Sequence, residues 1–332
     1  MKQRHSSPDD RRSARRRLDT FVLLIPYFFC RHKTLSHFLA SLFTAQFVTR
    51  VPVEFHLMSI AISQLTMFRW ETSRDIASVA ACGFDSISLW RPKVLDHGVA
   101  ETRVALSDKG LIASSLQWAG GFTGSDGRSF RSSVDDALSC VDMACEVGAP
   151  VLLVHCGCRA GHTIGHAHRL LRKAIDEIAP RASECGIRLA IKPMHPAASR
   201  GWTFLTQLDD CATFIEQTGH ASLGLSLDLW HFAYDEDLPT IIPRIAAMMA
   251  LVQVADATEL PSAEHKRLPP GLGNLPLQFL LSLLQSAGYL GPIELECIGD
   301  GVEAIGYEET LRICRKWSYS LNRIIDQPAT SA

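Results

Sequence analysis

Polar side chains recur at the ends of short apolar runs along this chain. VLLVH closes on His155, and the following CGCRAGHTIGHAH carries His162, His166 and His168. RLAIK closes on Lys192, with Pro193, Met194 and His195 next. SLDLWH contains Asp228 and His231, VQVAD contains Gln253 and Asp256, and IELE contains Glu294 and Glu296. Gln64 follows SIAIS, while Gln117 and Trp118 end SSLQW. Carboxylates such as Asp228 and Glu296 suit either a hard cation or proton transfer beside a carbonyl. Lys192 is the unusual member, because an ammonium in a buried strand must pair with a carboxylate or lose its proton. Beside Asp228 or Glu296 it can be a structural partner, a clamp on a substrate oxygen or a base. Glu296 lies nearer the strand end than Glu294 and is the better candidate for chemistry. His155, His195 and His231 directly follow strands and are placed to line a pocket. His162 and His166 fall at a helix start with i, i+4 spacing.

Something must hold these groups at one end. Eight runs, at 59–65, 85–90, 111–118, 150–156, 188–195, 223–230, 250–256 and 292–297, are short, nearly continuously apolar and rich in Ile, Val and Leu. That is how strands covered on both faces of a parallel sheet read. Amphipathic stretches alternate with them, several ending in the Gly that caps helix C-termini. Eight strand–helix units over residues 58–327 predict a (β/α)8 barrel, with chemistry at the C-terminal ends of the strands. A doubly wound open sheet is the competing architecture, but no Gly-rich phosphate turn follows SIAISQL. After the seventh strand, HKRLPPGLGNLPL offers Gly271 and Gly273 as a turn that folds over the mouth, with Arg267 reaching inward.

Taken together, GHTIGHAHRLL, RLAIKPMHP, LDLWH, VQVADA, KRLPPGLGNLPL and AGYLGPIELE resemble the sugar phosphate isomerase/epimerase family with the xylose isomerase-like TIM barrel, over about residues 60–325. The resemblance implies an isomerase or epimerase acting on a sugar or keto-sugar. It also implies one divalent ion (Mn, Mg, Co or Zn) held by Glu, Asp, His and Glu at the ends of strands five to eight. By position, Asp228 and Glu296 match two of those ligands. Gln253 stands at the His position, where its carbonyl oxygen can still meet a hard cation. Lys192 stands at the first Glu position and brings a positive charge to where the ion would sit. The metal set read from the resemblance is therefore Asp228, Gln253 and Glu296, with Lys192 opposing it. Glu296 and Lys192 are the catalytic candidates. His155, His162, His195, His231, Arg267, Gln64 and Trp118 are the substrate-binding candidates. Loss of the first Glu leaves a second reading, a barrel that binds a sugar without turning it over. A DNA-repair nuclease on the same barrel is a third.

Composition narrows the classes further. The chain has 332 residues, of which 47% are hydrophobic and 20% charged, which excludes a disordered chain or a small disulfide scaffold. Residues 1–57 hold ten Lys/Arg against four Asp/Glu, and the remainder holds 23 against 31. An acidic body is poorly suited to nucleic acid, where phosphate neutralisation supplies most of the affinity. The ten cysteines form no CxxC pair and lie mainly in apolar runs, which points to reduced thiols and a cytoplasmic setting. The basic then apolar extension 1–57 fits translation starting at Met58, an export signal, or a membrane-surface anchor. Its apolar run of about 11 residues is too short to span a bilayer. The expected partner is a small sugar or sugar derivative, with neither nucleic acid nor a membrane span; a homo-oligomer is left open.

Overall fold

The computed structural model describes residues 59–325, so the readings made for the extension 1–57 lie outside the described residues. Eight parallel strands close into a barrel in sequence order. They are β1 (Ile60–Ser63), β2 (Ser86–Trp90), β3 (Ile112–Gly120), β4 (Val151–His155), β5 (Arg188–Ile191), β6 (Leu223–Asp228), β7 (Met249–Val254) and β8 (Ile293–Leu295). Each falls on one of the eight apolar runs, and the open-sheet alternative is excluded by the β1–β8 pairing of Ala61 with Glu294.

The helices form where sequence periodicity and end signals agree. Phe130–Val147 buries Val134, Ala137, Cys140, Val141 and Ala144 on one stripe. Ser129 caps its first turn by accepting from Ser132 N–H, and Gly148, at φ 76°, takes the left-handed position that ends it. Ile164–Glu184 begins in the same way, with Thr163 accepting from His166 N–H. Its apolar stripe, from Ala167 through Leu171 and Ile175 to Ala182, faces the sheet. The main core, including Ile62, Leu89, Leu152, Ile175 and Leu295, lies between barrel and helices.

Side chains alternate across each strand, so a residue two positions from an inward one also points inward. This period aligns Leu153 with His155, Ala190 with Lys192, Ser226 with Asp228, and Glu294 with Glu296. Lateral register then sets their height: Asp228 pairs with Gln253, and Gln253 with Glu294. Below them, Val151, Leu153, Ala190, Ala250 and Leu251 form a separate small apolar cluster against which Trp118 packs. No helix among the described residues is long and apolar enough to cross a membrane.

Candidate active site

Two cations and two carboxylates meet in the barrel mouth. Lys192 Nζ lies 2.7 Å from Asp228 Oδ2 and 3.5 Å from Glu296 Oε1. Arg267 Nη1 lies 2.7 Å from the same Asp228 Oδ2 and 3.3 Å from Glu296 Oε1. All four side chains are at most 4% exposed. Burial alone would raise the Asp228 pKa, but the Arg267 and Lys192 charges outweigh it and hold the carboxyl well below the usual range. Both carboxylates are further tied down. Asp228 Oδ1 accepts from Trp230 N–H at 3.0 Å, and Glu296 Oε2 accepts from Gln117 at 2.9 Å and Gln253 at 3.0 Å.

Arg267 is held from three sides. Its guanidinium stacks 4.5 Å from the Trp230 ring, and Nη2 donates to His231 Nε2 at 3.1 Å. Because guanidinium only donates, that contact makes His231 Nε2 the acceptor and leaves its proton on Nδ1. Burial keeps His231 neutral, against the opposing pull of Asp228. The loop that delivers Arg267 is fixed by Asp256, which accepts from the N–H groups of Ala257, Gly271 and Leu275 at 2.9, 2.8 and 3.0 Å. Gly273 has no substitute there, since a Cβ would fall 2.3 Å from Asp256 Oδ1. Arg267 also pairs through its backbone with Ile298, which knits the loop to the chain after β8.

Above the charges lies a cavity of about 320 Å3 lined by Lys192, Arg267, Glu296, Gln117, His155, Trp118, Trp202 and His265, among others. Trp118 and Trp202 meet edge to face at 4.8 Å, and each ring contacts His155. Burial, then the nearby Lys192 and Arg267 charges, keep His155 neutral, and its Nδ1 has no partner. Deeper still, burial pushes Glu294 up to about 7 despite the 2.6 Å hydrogen bond from Ser114.

The predicted residues separate into three groups. Lys192, Glu296, Arg267, His155 and Trp118 line the cavity, while Asp228, Gln253 and His231 lie directly behind that lining. Gln64, His162 and His195 are elsewhere. Gln64 is wholly buried, donating to Asp75 at 3.0 Å and accepting from Trp90 N–H at 2.8 Å, because β1 gives way to a helical turn before it can point into the mouth. His162 contacts the Thr123 carbonyl at 3.2 Å and packs on His166, and His195 accepts from Ala197 N–H at 3.3 Å. His162 sits in a turn and His195 in the irregular stretch after β5, and both are carried past the strand ends. Sequence reasoning passed over Trp202 and gave Gln117 no role. The former lies in a Gly-containing turn, SRGWTF, an aromatic placed where a loop after a strand returns to the mouth.

The residues present do not fit a divalent ion. A cation would need the oxygens of Asp228 and Glu296 that already face Lys192 and Arg267. Gln253 presents its amide nitrogen, not its carbonyl oxygen, to Glu296. Two protein charges of +1 occupy the place where a charge of +2 would be coordinated.

A closed barrel of eight parallel strands with polar groups gathered at the strand ends defines a TIM-barrel protein. Residues 76–317 match the xylose isomerase-like TIM barrel family, and the chain belongs to it. It is 28% identical over 237 residues to a 3-dehydroshikimate dehydratase of Pseudomonas aeruginosa, covering 69% of this chain and 36% of that one. It is 27% identical over 241 residues to a putative hydroxypyruvate isomerase of Streptomyces coelicolor, covering 66% of this chain and 83% of that one. The chain thus spans about a third of the length of the dehydratase. Among solved structures, the IOLI protein with a binding zinc atom superposes with a TM-score of 0.71 at 14% identity, covering 82% of this chain and all of that one; this likeness concerns the fold alone.

Proposed function

We propose that this protein is an enzyme acting on a sugar or keto-sugar, moving a proton on the carbon beside a carbonyl, with Lys192 and Arg267 in the electrostatic role of a divalent ion. The observation that carries this reading is that both cations and Glu296 reach one cavity walled by aromatic rings. A carbonyl oxygen seated over Lys192 and Arg267 gains negative charge as its neighbouring C–H bond breaks. Fixed cations in a water-poor site stabilise that charge strongly. Glu296 Oε1 takes the proton. Its Oε2 is occupied by Gln117 and Gln253, whereas Oε1 has only the looser contacts at 3.3 and 3.5 Å. The proton then returns to the neighbouring carbon or to the other face. Neutral His155 bonds a substrate hydroxyl, and the Trp118 and Trp202 rings cover the apolar face of the carbon skeleton. Relatives named as a dehydratase and an isomerase support an enzyme of this general kind.

The test is solvent exchange in D2O, followed by NMR, with hydroxypyruvate and a panel of ketoses in the presence of a chelator. Exchange at the carbon beside the carbonyl is expected, and Glu296→Gln should reduce it at least about 100-fold, the scale of a lost general base. Undiminished exchange in that variant would overturn the assignment. One observation favours the second reading, a sugar-binding barrel without turnover: every oxygen of Asp228 and Glu296 already has a partner. Sugar binding without exchange would establish it.

A further inference from the structure

A second chamber of about 160 Å3 adjoins the cavity and shares Trp118, His155 and Trp202 with it. Its far side is built from Arg91, Arg128, Asp126 and Asp136. Arg91 and Arg128 both pair with Asp136, through Arg91 Nη1 at 2.9 Å and Arg128 Nη1 at 2.6 Å. Arg128 also bonds Asp126 at 2.8 Å and the Gly120 carbonyl at 2.8 Å. The floor is glycine. A Cβ on Gly120 would fall 1.7 Å from the His155 carbonyl oxygen, and one on Gly157 would fall 2.5 Å from Thr123 Oγ1. Glycine at these positions lets the segments that wall the chamber approach each other closely.

Its chemistry differs from that of the main cavity. Two guanidiniums face two carboxylates, so the rim is balanced, with donors and acceptors alternating. An anion would have to displace Asp126 or Asp136 from charge-assisted hydrogen bonds. Hydroxyl groups both donate and accept and need displace nothing. His155, which lines both spaces, has an Nδ1 with no hydrogen-bond partner. A ligand bearing hydroxyls is therefore the natural complement of this paired rim.

Building on the proposed function, we infer that the substrate is a two-unit polyhydroxy compound. One unit reacts over Lys192 and Glu296; the second, an uncharged sugar or polyol, lies in the Arg91–Arg128–Asp136 chamber beyond the Trp118 and Trp202 edges.

Calorimetric titration of the full chain with D-glucose, cellobiose, maltose and trehalose tests this. At least one disaccharide should bind about tenfold more tightly than glucose. Ser125→Trp fills the chamber and should erase that advantage while leaving glucose affinity unchanged; Arg128→Ala, at a half-exposed position, should reduce it severalfold. Equal affinities for all four sugars, or an advantage that survives Ser125→Trp in a folded variant, would overturn the inference. Solvent exchange separates it from the reading it rests on. A disaccharide preference without exchange defeats only the enzymatic reading, and exchange without any preference defeats only the second chamber.

Discussion

Replacing Lys192 by Glu should convert this site into a divalent-ion site. In the native protein Lys192 and Arg267 balance Asp228 and Glu296, giving a local charge of zero. Lys192→Glu changes that to −2, the deficit a divalent ion neutralises. The magnitude follows from charge separation. An ion coordinated by Asp228 and Glu296 would sit about 4 Å from the Lys192 ammonium, where a +1/+2 repulsion is about 8 kcal/mol at an effective dielectric of 20. Even half of that, about 4 kcal/mol, is roughly a thousandfold in Kd. Arg267 still opposes the ion in the single variant, so adding Arg267→Gln should tighten binding further. The assay is calorimetric titration with Mn2+ after dialysis against chelator, alongside metal analysis of the protein as purified. The expected result is no saturable site in the native chain, a measurable one in Lys192→Glu and a tighter one in the double variant. Near-stoichiometric Mn, Zn or Co retained by the native chain after chelation would refute the argument from the cation pair.

Two further outcomes concern stability. Glu294 has its pKa raised from 4.5 to about 7 by burial, so the folded state binds its proton more tightly than the unfolded state does. Stability from this group is complete below about pH 4.5 and is lost as pH rises through about 7; at about 1.4 kcal/mol per pH unit the difference is about 3 kcal/mol. Glu294→Gln should flatten that slope in urea titrations from pH 4.5 to 8, and an unchanged slope would place the proton elsewhere. Asp256→Ala removes the acceptor for three backbone N–H groups and should cost about 3–5 kcal/mol. Limited proteolysis should then cut the loop between residues 257 and 276, and sugar affinity should fall as Arg267 loses its support; an intact loop would show that the Arg267–Ile298 pairing suffices.

The sequence by itself determined the barrel. Eight apolar runs separated by amphipathic stretches leave few other ways to bury strands on both faces, and each run became a strand within a few residues of its expected ends. It also placed Lys192, Asp228, Glu296 and His155 at one end, because strand alternation and the C-terminal location of barrel chemistry are local rules. The pairing of Lys192 with Asp228 was among the sequence readings and is present at 2.7 Å.

Only the tertiary structure decided how those groups share charge. Arg267 is 39 residues from Asp228 in sequence, and nothing local says that its guanidinium replaces solvent against that carboxylate. Its position depends on Asp256 and on the adjacent Trp230 face and His231 Nε2, three constraints from two other segments. The orientation of the Gln253 amide is equally non-local: the direction of its nitrogen follows from which acceptors, Glu296 and Glu294, closure of the barrel brings beside it. Gln64, His162 and His195 carry the converse lesson. Nearness to a strand end in sequence puts a side chain near the mouth, but the turn geometry after that strand decides whether it faces inward. Local periodicity is written in neighbouring residues, whereas charge compensation and side-chain aim are settled only when distant strands and loops meet in a low-dielectric interior.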